Sequence, residues 1–129
     1  MKLLLDTHVL LWILTESSKL SLPVIRSYQD PDNTVYVSAA SFWEIGIKIS
    51  LGKLSFHKTD WTAAIKEELG RNGIRWLAIE PAHCAQVSTL PFHHRDPFDR
   101  LLVAQALCEE MALATADTAL ATYGVKIIW

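Results

Sequence analysis

Apolar residues along the chain fall into short blocks bounded by turn residues, some continuous and some at helical spacing. Lys2–Leu5 is a short apolar run cut off at Asp6, which predicts a buried strand. Thr7–Leu14 is apolar almost all round and predicts a deeply packed helix. Leu22–Gln29 carries a second helical pattern with Pro23 near its start. "DPDN" at 30–33 signals a turn, and the β-branched Thr34–Val37 predicts the next strand. Ser38 closes that strand, and Ala39–Leu51 predicts a helix stopped by Gly52. Trp61–Arg71 is amphipathic and ends at Asn72-Gly73; Arg75–Ile79 predicts a third strand, and Pro81 starts a short helix to about Ser88. A helix over Pro97–Glu110, a strand over Ala112–Thr115, a short helix over Asp117–Thr122 and a last strand over Val125–Ile128 complete the pattern.

Strands alternating with helices imply an α/β fold with a parallel sheet covered on both faces. Ligands of such sheets bind outside the carboxyl ends of the strands, so acids at strand exits are the positions that matter. The 129 residues fit one domain, 1–129, with a core of its own. Half the residues are apolar and a fifth charged, a globular composition. Twelve basic against 14 acidic residues give a formal charge of −2, so phosphate binding needs a local basic strip or a metal ion. Cys84 and Cys108 lack metal-ligand spacing and suit a reduced, cytoplasmic protein. The N-terminus superficially resembles a signal peptide, but Asp6 and His8 interrupt the apolar run and no small-residue cleavage site follows. Nothing approaches the roughly 18 apolar residues of a membrane span.

Four acids stand at or near the strand exits: Asp6 after "LLL", Glu44 on the helix after "VYV", Asp117 just after "LAT", and Asp99 in the first turn of "HRDPFDRLLVAQA". Each has a local reading. Asp6 and Asp117 can cap the helices that follow them, and Ser41-x-x-Glu44 matches a capping box. Glu44 nevertheless lies among Phe42, Trp43, Ile45 and Ile47, an apolar setting for a merely solvated acid. Asp96, directly before Pro97, is the strongest cap candidate. Jointly the acids say more. Two unit charges about 4 Å apart repel by roughly 4 kcal/mol at an effective dielectric of 20, so such a cluster raises its pKa values or recruits cations. Oxygen ligands without thiolate favour Mg²⁺ or Mn²⁺.

The segments "LLLDTHVLLW", "VYVSAASFWEIGIKISLGKL", "HRDPFDRLLVAQA" and "LATADTALATYGVKIIW" run in order from residue 3 to the C-terminus. In these segments the chain resembles the PIN-domain nucleases, most closely the VapC-like toxins of type II toxin–antitoxin modules. The resemblance implies a three-layer α/β/α sandwich around a parallel sheet and Mg²⁺- or Mn²⁺-dependent endoribonuclease activity. It also implies a cognate antitoxin and a tendency to homodimerise. The family's acidic site falls on Asp6, Glu44, Asp99 and Asp117. Asp6 and Asp99 are the first choices for metal ligation, with Glu44 and Asp117 as further candidates. Thr7 and Thr115 flank strand exits and are candidates to hold carboxylates or water and to contact the substrate.

For an RNA substrate, His93, His94, Arg95, Arg100, Lys48 and Lys53 are candidates for a local positive rim, although Lys48 and Lys53 also read as solvated helix-end charges. Adjacent His93 and His94, without a nearby cysteine, make a poor zinc signature and suit a loop or substrate contact. His8 reads as a packed or hydrogen-bonded residue. Most of the five tryptophans lie on apolar faces and read as core or interface, with Trp129 placed to cover the sheet edge or meet a partner.

Two other classes share this scaffold. A phosphoacceptor receiver domain needs an acid pair after the first strand and a strand-end lysine; the pair is missing, and Lys126 lies inside the last strand. A non-catalytic interaction module that kept the fold is the other, and the presence of all four acids argues against it.

Overall fold

The computed structural model describes residues 1–56 and 59–129. Five parallel strands, β1 (Lys2–Leu5), β2 (Thr34–Ser38), β3 (Arg75–Leu77), β4 (Ala112–Ala114) and β5 (Ile127–Ile128), form one sheet in the order β3-β2-β1-β4-β5. Six α-helices connect them: α1 (Thr7–Thr15), α2 (Leu22–Gln29), α3 (Ala39–Ser50), α4 (Trp61–Arg71), α5 (Pro81–Thr89) and α6 (Pro97–Glu109). Short 3₁₀ helices occupy Ser17–Lys19 and Thr118–Tyr123.

The apolar run of β1 is explained by its central place. Leu3, Leu4 and Leu5 are fully buried, with β2 paired on one side and β4 on the other. Alternation along the strand divides the core between two faces. Leu3 and Leu5 join Val9, Val24, Ile45, Ile65 and Leu69 on one face, whereas Leu4 joins Leu102, Val103, Leu113 and Leu120 on the other. The expected sandwich of helices around a parallel sheet is therefore present. After β1, the chain winds outward through β2 and β3, then returns to β4 on the opposite side of β1. The gap between β1 and β4 is thus the point where the strand order reverses, and its carboxyl end is the expected place for a ligand.

Three expectations change. The strand expected to reach Ile79 stops at Leu77, because the Ala78 carbonyl accepts from Gln105 and Glu80 begins the α5 cap. The strand expected from Val125 is confined to Ile127–Ile128, since buried Val125 follows Gly124 in a left-handed turn (φ 82°). The α1 helix is not deeply packed all round: Leu11 to Leu14 are only half-buried. Ile13 and Leu14 border an open groove of about 620 Å³ shared with α2 and the end of α4, where neighbouring helices leave that flank uncovered.

A buried polar network fastens α6 to the sheet. Gln105 on α6 is fully buried, and its Oε1 accepts from the Ser38 hydroxyl at 2.6 Å. That same Ser38 oxygen accepts from Ala40 N–H and caps α3. Gln105 Nε2 donates to the Ala78 carbonyl at 3.3 Å and approaches His83 Nδ1 at 3.4 Å. His83 Nδ1 already accepts the Glu80 backbone N–H, so its Nε2 carries the hydrogen and donates to Glu109 at 2.9 Å. One glutamine therefore ties the exits of β2 and β3, and the starts of α3 and α5, to the helix that carries Asp99. Gln105→Ala leaves buried polar partners unmatched and is expected to lower unfolding stability by about 2–4 kcal/mol. A urea midpoint shift at unchanged slope checks this; an unshifted midpoint would discard the network as a stabilising element.

Candidate metal and catalytic centre

The first acid is held by the sheet itself. Asp6 extends β1, with its N–H donating to the Ala114 carbonyl at 3.0 Å, and its Oδ1 accepts the Val9 N–H at 2.7 Å as the cap of α1. The capping reading is therefore correct, and it does not remove the residue from the site: the buried carboxylate also lines an open cleft of about 400 Å³ with Asp99 and Asp117. Burial pushes its pKa up, the nearby Thr115 hydroxyl, the Val9 N–H bond and His8 pull it down, and Glu44 adds repulsion; the net direction is upward.

Asp99 is set by the start of α6. Asp96 caps the helix, its Oδ1 accepting the N–H groups of Phe98 at 2.8 Å and Asp99 at 3.1 Å. Asp99 thus stands one turn in, facing the same cleft as Asp6. Its carboxyl is pushed up to about 7, first by desolvation, then by the Asp96 charge; His94 lowers it, and Asp6 and Glu44 raise it further. Asp117 follows β4, with its N–H donating to the Thr115 hydroxyl at 3.0 Å and its side chain partly open to solvent.

His94 joins these carboxylates. Its Nε2 lies 2.9 Å from Asp117 Oδ2 and 3.6 Å from Asp99 Oδ2. One potential ligand atom from each of His94, Asp99 and Asp117 lies within 4.8 Å of the others, the group among the described residues suited to hold a cation. His94 Nδ1 accepts the Asp96 N–H at 3.1 Å, which leaves the hydrogen on Nε2 and makes the ring a donor to the carboxylates. The carboxylate-rich donor set fits a hard divalent ion, and the imidazole stands between two of its oxygens.

The other candidates separate clearly. Glu44 is buried on α3 and pairs with Lys48 Nζ at 3.1 Å. It acts on Asp6 and Asp99 through its charge but lies outside the three-residue cluster. Ser38, not Ser41, caps α3, so the capping-box reading of Glu44 fails. Ser41 instead accepts from the Thr7 hydroxyl at 3.0 Å; both are buried, and Thr7 serves to join α1 to α3 rather than to face a substrate. Thr115 accepts the Asp117 N–H through its hydroxyl and lies close enough to Asp6 to lower its pKa. Arg95 is exposed beside the α6 start. Arg100 is a correction: it is 7% exposed, and its guanidinium donates to the carbonyls of Pro91, Val87 and Leu90 and to Tyr123 Oη, with Phe92 against its face. It fastens the loop before α6 and cannot also rim a substrate groove.

Lys48 is engaged by Glu44, and Lys53 is exposed. His8, expected as a packed or hydrogen-bonded residue, is exposed on the cleft wall, since the first turn of α1 turns one edge away from the sheet. The tryptophans are less buried than expected: Trp43 and Trp76 are exposed, and Trp12, Trp61 and Trp129 half-buried. Tyr123 went unnoticed in the sequence; its Oη accepts from His94 N–H and Arg100 and supports the histidine loop.

A parallel sheet with an acidic cluster at its switch point defines an α/β protein whose candidate ligand site is rich in carboxylates. The PIN domain family model matches residues 3–126. The chain therefore belongs to the PIN-domain family. Similar solved structures include VapBC2 from Rickettsia felis bound to a DNA fragment from its promoter, at 15% identity, TM-score 0.76 and coverage of 98% of this chain and 97% of that one. VapBC-1 from nontypeable Haemophilus influenzae aligns at 18% identity and TM-score 0.72, covering 98% and 96%. A toxin–antitoxin complex from Klebsiella pneumoniae aligns at 12% identity and TM-score 0.61, covering 98% and 95%. At these identities the likeness is one of fold. No curated protein matches the chain.

The raised pKa of Asp99 has a consequence for stability. The folded carboxyl holds its proton up to about 7, whereas the unfolded one releases it near 3.8, so the folded state binds more protons between these values. Its contribution to stability is full below the lower value and is lost as pH rises through the upper one. In chelator, Asp99→Asn is expected to stabilise the protein by about 2 kcal/mol at pH 8, a figure discounted for partial solvent screening, and by almost nothing at pH 4. Thermal unfolding of both proteins across this range checks it; equal melting temperatures at pH 8 would refute the strained carboxyl.

Proposed function

We propose that this protein is a Mg²⁺- or Mn²⁺-dependent endoribonuclease that serves as the toxin of a toxin–antitoxin pair. One observation carries the reading: Asp6, Asp99 and Asp117, from three separate parts of the chain, line one cleft at the sheet's switch point, with His94 bonded among them. The fold shared with VapBC complexes supports an antitoxin partner, and the family supports nuclease chemistry. A homodimer, an RNA substrate and action in the cytoplasm belong to the same proposal. Among the described residues no helix is long and apolar enough to cross a membrane.

Asp99 and Asp117 would hold the ion, with Asp6 beside them and Glu44 tuning the site from behind. When bound, a divalent ion neutralises charge on a phosphodiester and makes an attacking water more acidic. The chain's own groups then do defined work. Asp96 fixes the turn that aims Asp99. The Val9 N–H holds the Asp6 carboxylate in place, and the nearby Thr115 lowers its pKa. His94 carries its hydrogen at Nε2, at hydrogen-bond distance from Asp117, where it can donate a hydrogen bond to a carboxylate or to a phosphate oxygen. Glu44, paired with Lys48, keeps a negative charge near the site without crowding it.

Purified protein is expected to cleave single-stranded RNA with Mn²⁺ or Mg²⁺ and to stop with chelator. Asp99→Asn and Asp6→Ala are each expected to lose at least about 100-fold in rate while keeping the folded circular dichroism spectrum. Full-rate cleavage by Asp99→Asn would refute the assignment.

A further inference from the structure

Beside its carboxylates the same cleft is lined by two aromatic side chains, and Trp12 has no part in the acid chemistry. His8 and Trp12 both line the cleft, one turn apart on α1. Their rings lie 5.9 Å apart, and Trp12 meets Trp129 at 5.8 Å, so the three rings form a continuous row. In the run Leu11–Leu14, Leu11, Ile13 and Leu14 pack against the buried core, and Trp12 is the residue turned instead to the cleft. His8 is exposed at the inner end of the row, two positions after Asp6.

From this arrangement we propose that His8 and Trp12 form a base-stacking subsite, and that the cleft takes a nucleotide whose base is unpaired. The proposal rests on the nuclease reading for the phosphate and adds what lies next to it. The chemistry is that of single-strand recognition, in which bases freed from their neighbours stack on aromatic faces while charged groups or ions hold the backbone. A ring wall adjoining a carboxylate cluster supplies both halves within one cleft. Its volume of about 400 Å³ lies in the range of small-ligand sites and accommodates one nucleotide. The side chains also suit an interchangeable base: stacking on π-faces is open to every base, so the row selects for an unpaired base rather than for base identity. A paired base inside a duplex cannot present its face to this wall.

The tilted packing of Trp12 on Trp129 gives the wall rigidity, because the outer ring fixes the inner one. Trp129 is thus a positioning residue for the subsite, and Trp12 the ring that meets the base.

The test is equilibrium binding of the full chain, with Ca²⁺ in place of the catalytic ion, to three labelled probes: a single-stranded RNA dodecamer, its duplex, and an abasic sugar–phosphate chain of equal length. Wild-type protein is expected to bind the single strand about tenfold more tightly than either of the others. Trp12→Ala should lose that preference while its affinity for the abasic chain stays unchanged, and Trp12→Phe should keep most of it. A general loss of structure in Trp12→Ala would weaken all three probes alike and would spare Trp12→Phe only by coincidence, so the abasic chain and the conservative variant together separate the roles. If wild-type protein binds the abasic chain as tightly as RNA, or if Trp12→Ala keeps the preference, or if no probe binds, the subsite is wrong. The nuclease reading is judged separately, by Mn²⁺ titration calorimetry and by cleavage in the Asp99→Asn protein.

Discussion

Carboxylates crowded at the end of a buried strand repel each other and resist losing water, and this molecule is arranged around that cost. Asp6 continues the central strand of the sheet, and Asp99 and Asp117 approach it from other segments. Burial raises the pKa of both Asp6 and Asp99; neighbouring carboxylates push it further up, while His8 and His94 pull it back. The offsetting contacts are local and specific: the Val9 bond and the nearby Thr115 hydroxyl at Asp6, the His94 bond to Asp117, and the Lys48 pair with Glu44. What remains unbalanced is an affinity for positive charge.

The α6 helix shows how the scaffold supports this tension. Its first turn carries Asp96 and Asp99, one capping and the other exposed to the cluster. One residue further on, Arg100 ties down the loop that carries His94, partly through Tyr123. At mid-helix, Gln105 binds the ends of β2 and β3 through Ser38 and Ala78. A single helix thus fixes an acid, a histidine loop and two strand ends relative to one another. The Ser38 contact extends that restraint to α3 and so to Glu44.

The strand-and-helix order and the acids at strand exits were legible because both depend on neighbours in sequence. Apolar spacing reports a buried face, and "DPF" reports a helix start whatever the rest of the chain does. Cap and site were posed as alternatives for Asp6, yet the residue is both: one carboxylate has two oxygens and accepts from more than one side. Arg100 and Thr7 depart from the sequence expectation for a shared reason. A polar residue near a strand exit looks like a substrate group, and only the packed structure reveals carbonyls or a hydroxyl already waiting for it. His94 was placed at the substrate rather than among the acids, since its contact to Asp117 spans 23 positions.

The sequence by itself determined the order of the elements, the apolar interior of β1, the start of α6 and the placing of acids at or near the strand exits. These follow from side-chain period and from proline and aspartate at a helix start. The tertiary structure alone decided which acids share a cleft, that His94 stands among them, that Arg100 is a buried brace, and that Trp12 turns from the core toward the site. Those outcomes depend on which strands become neighbours and on which flank of a helix is left uncovered. Such distances are set by the packing of the whole chain, and no local pattern encodes them.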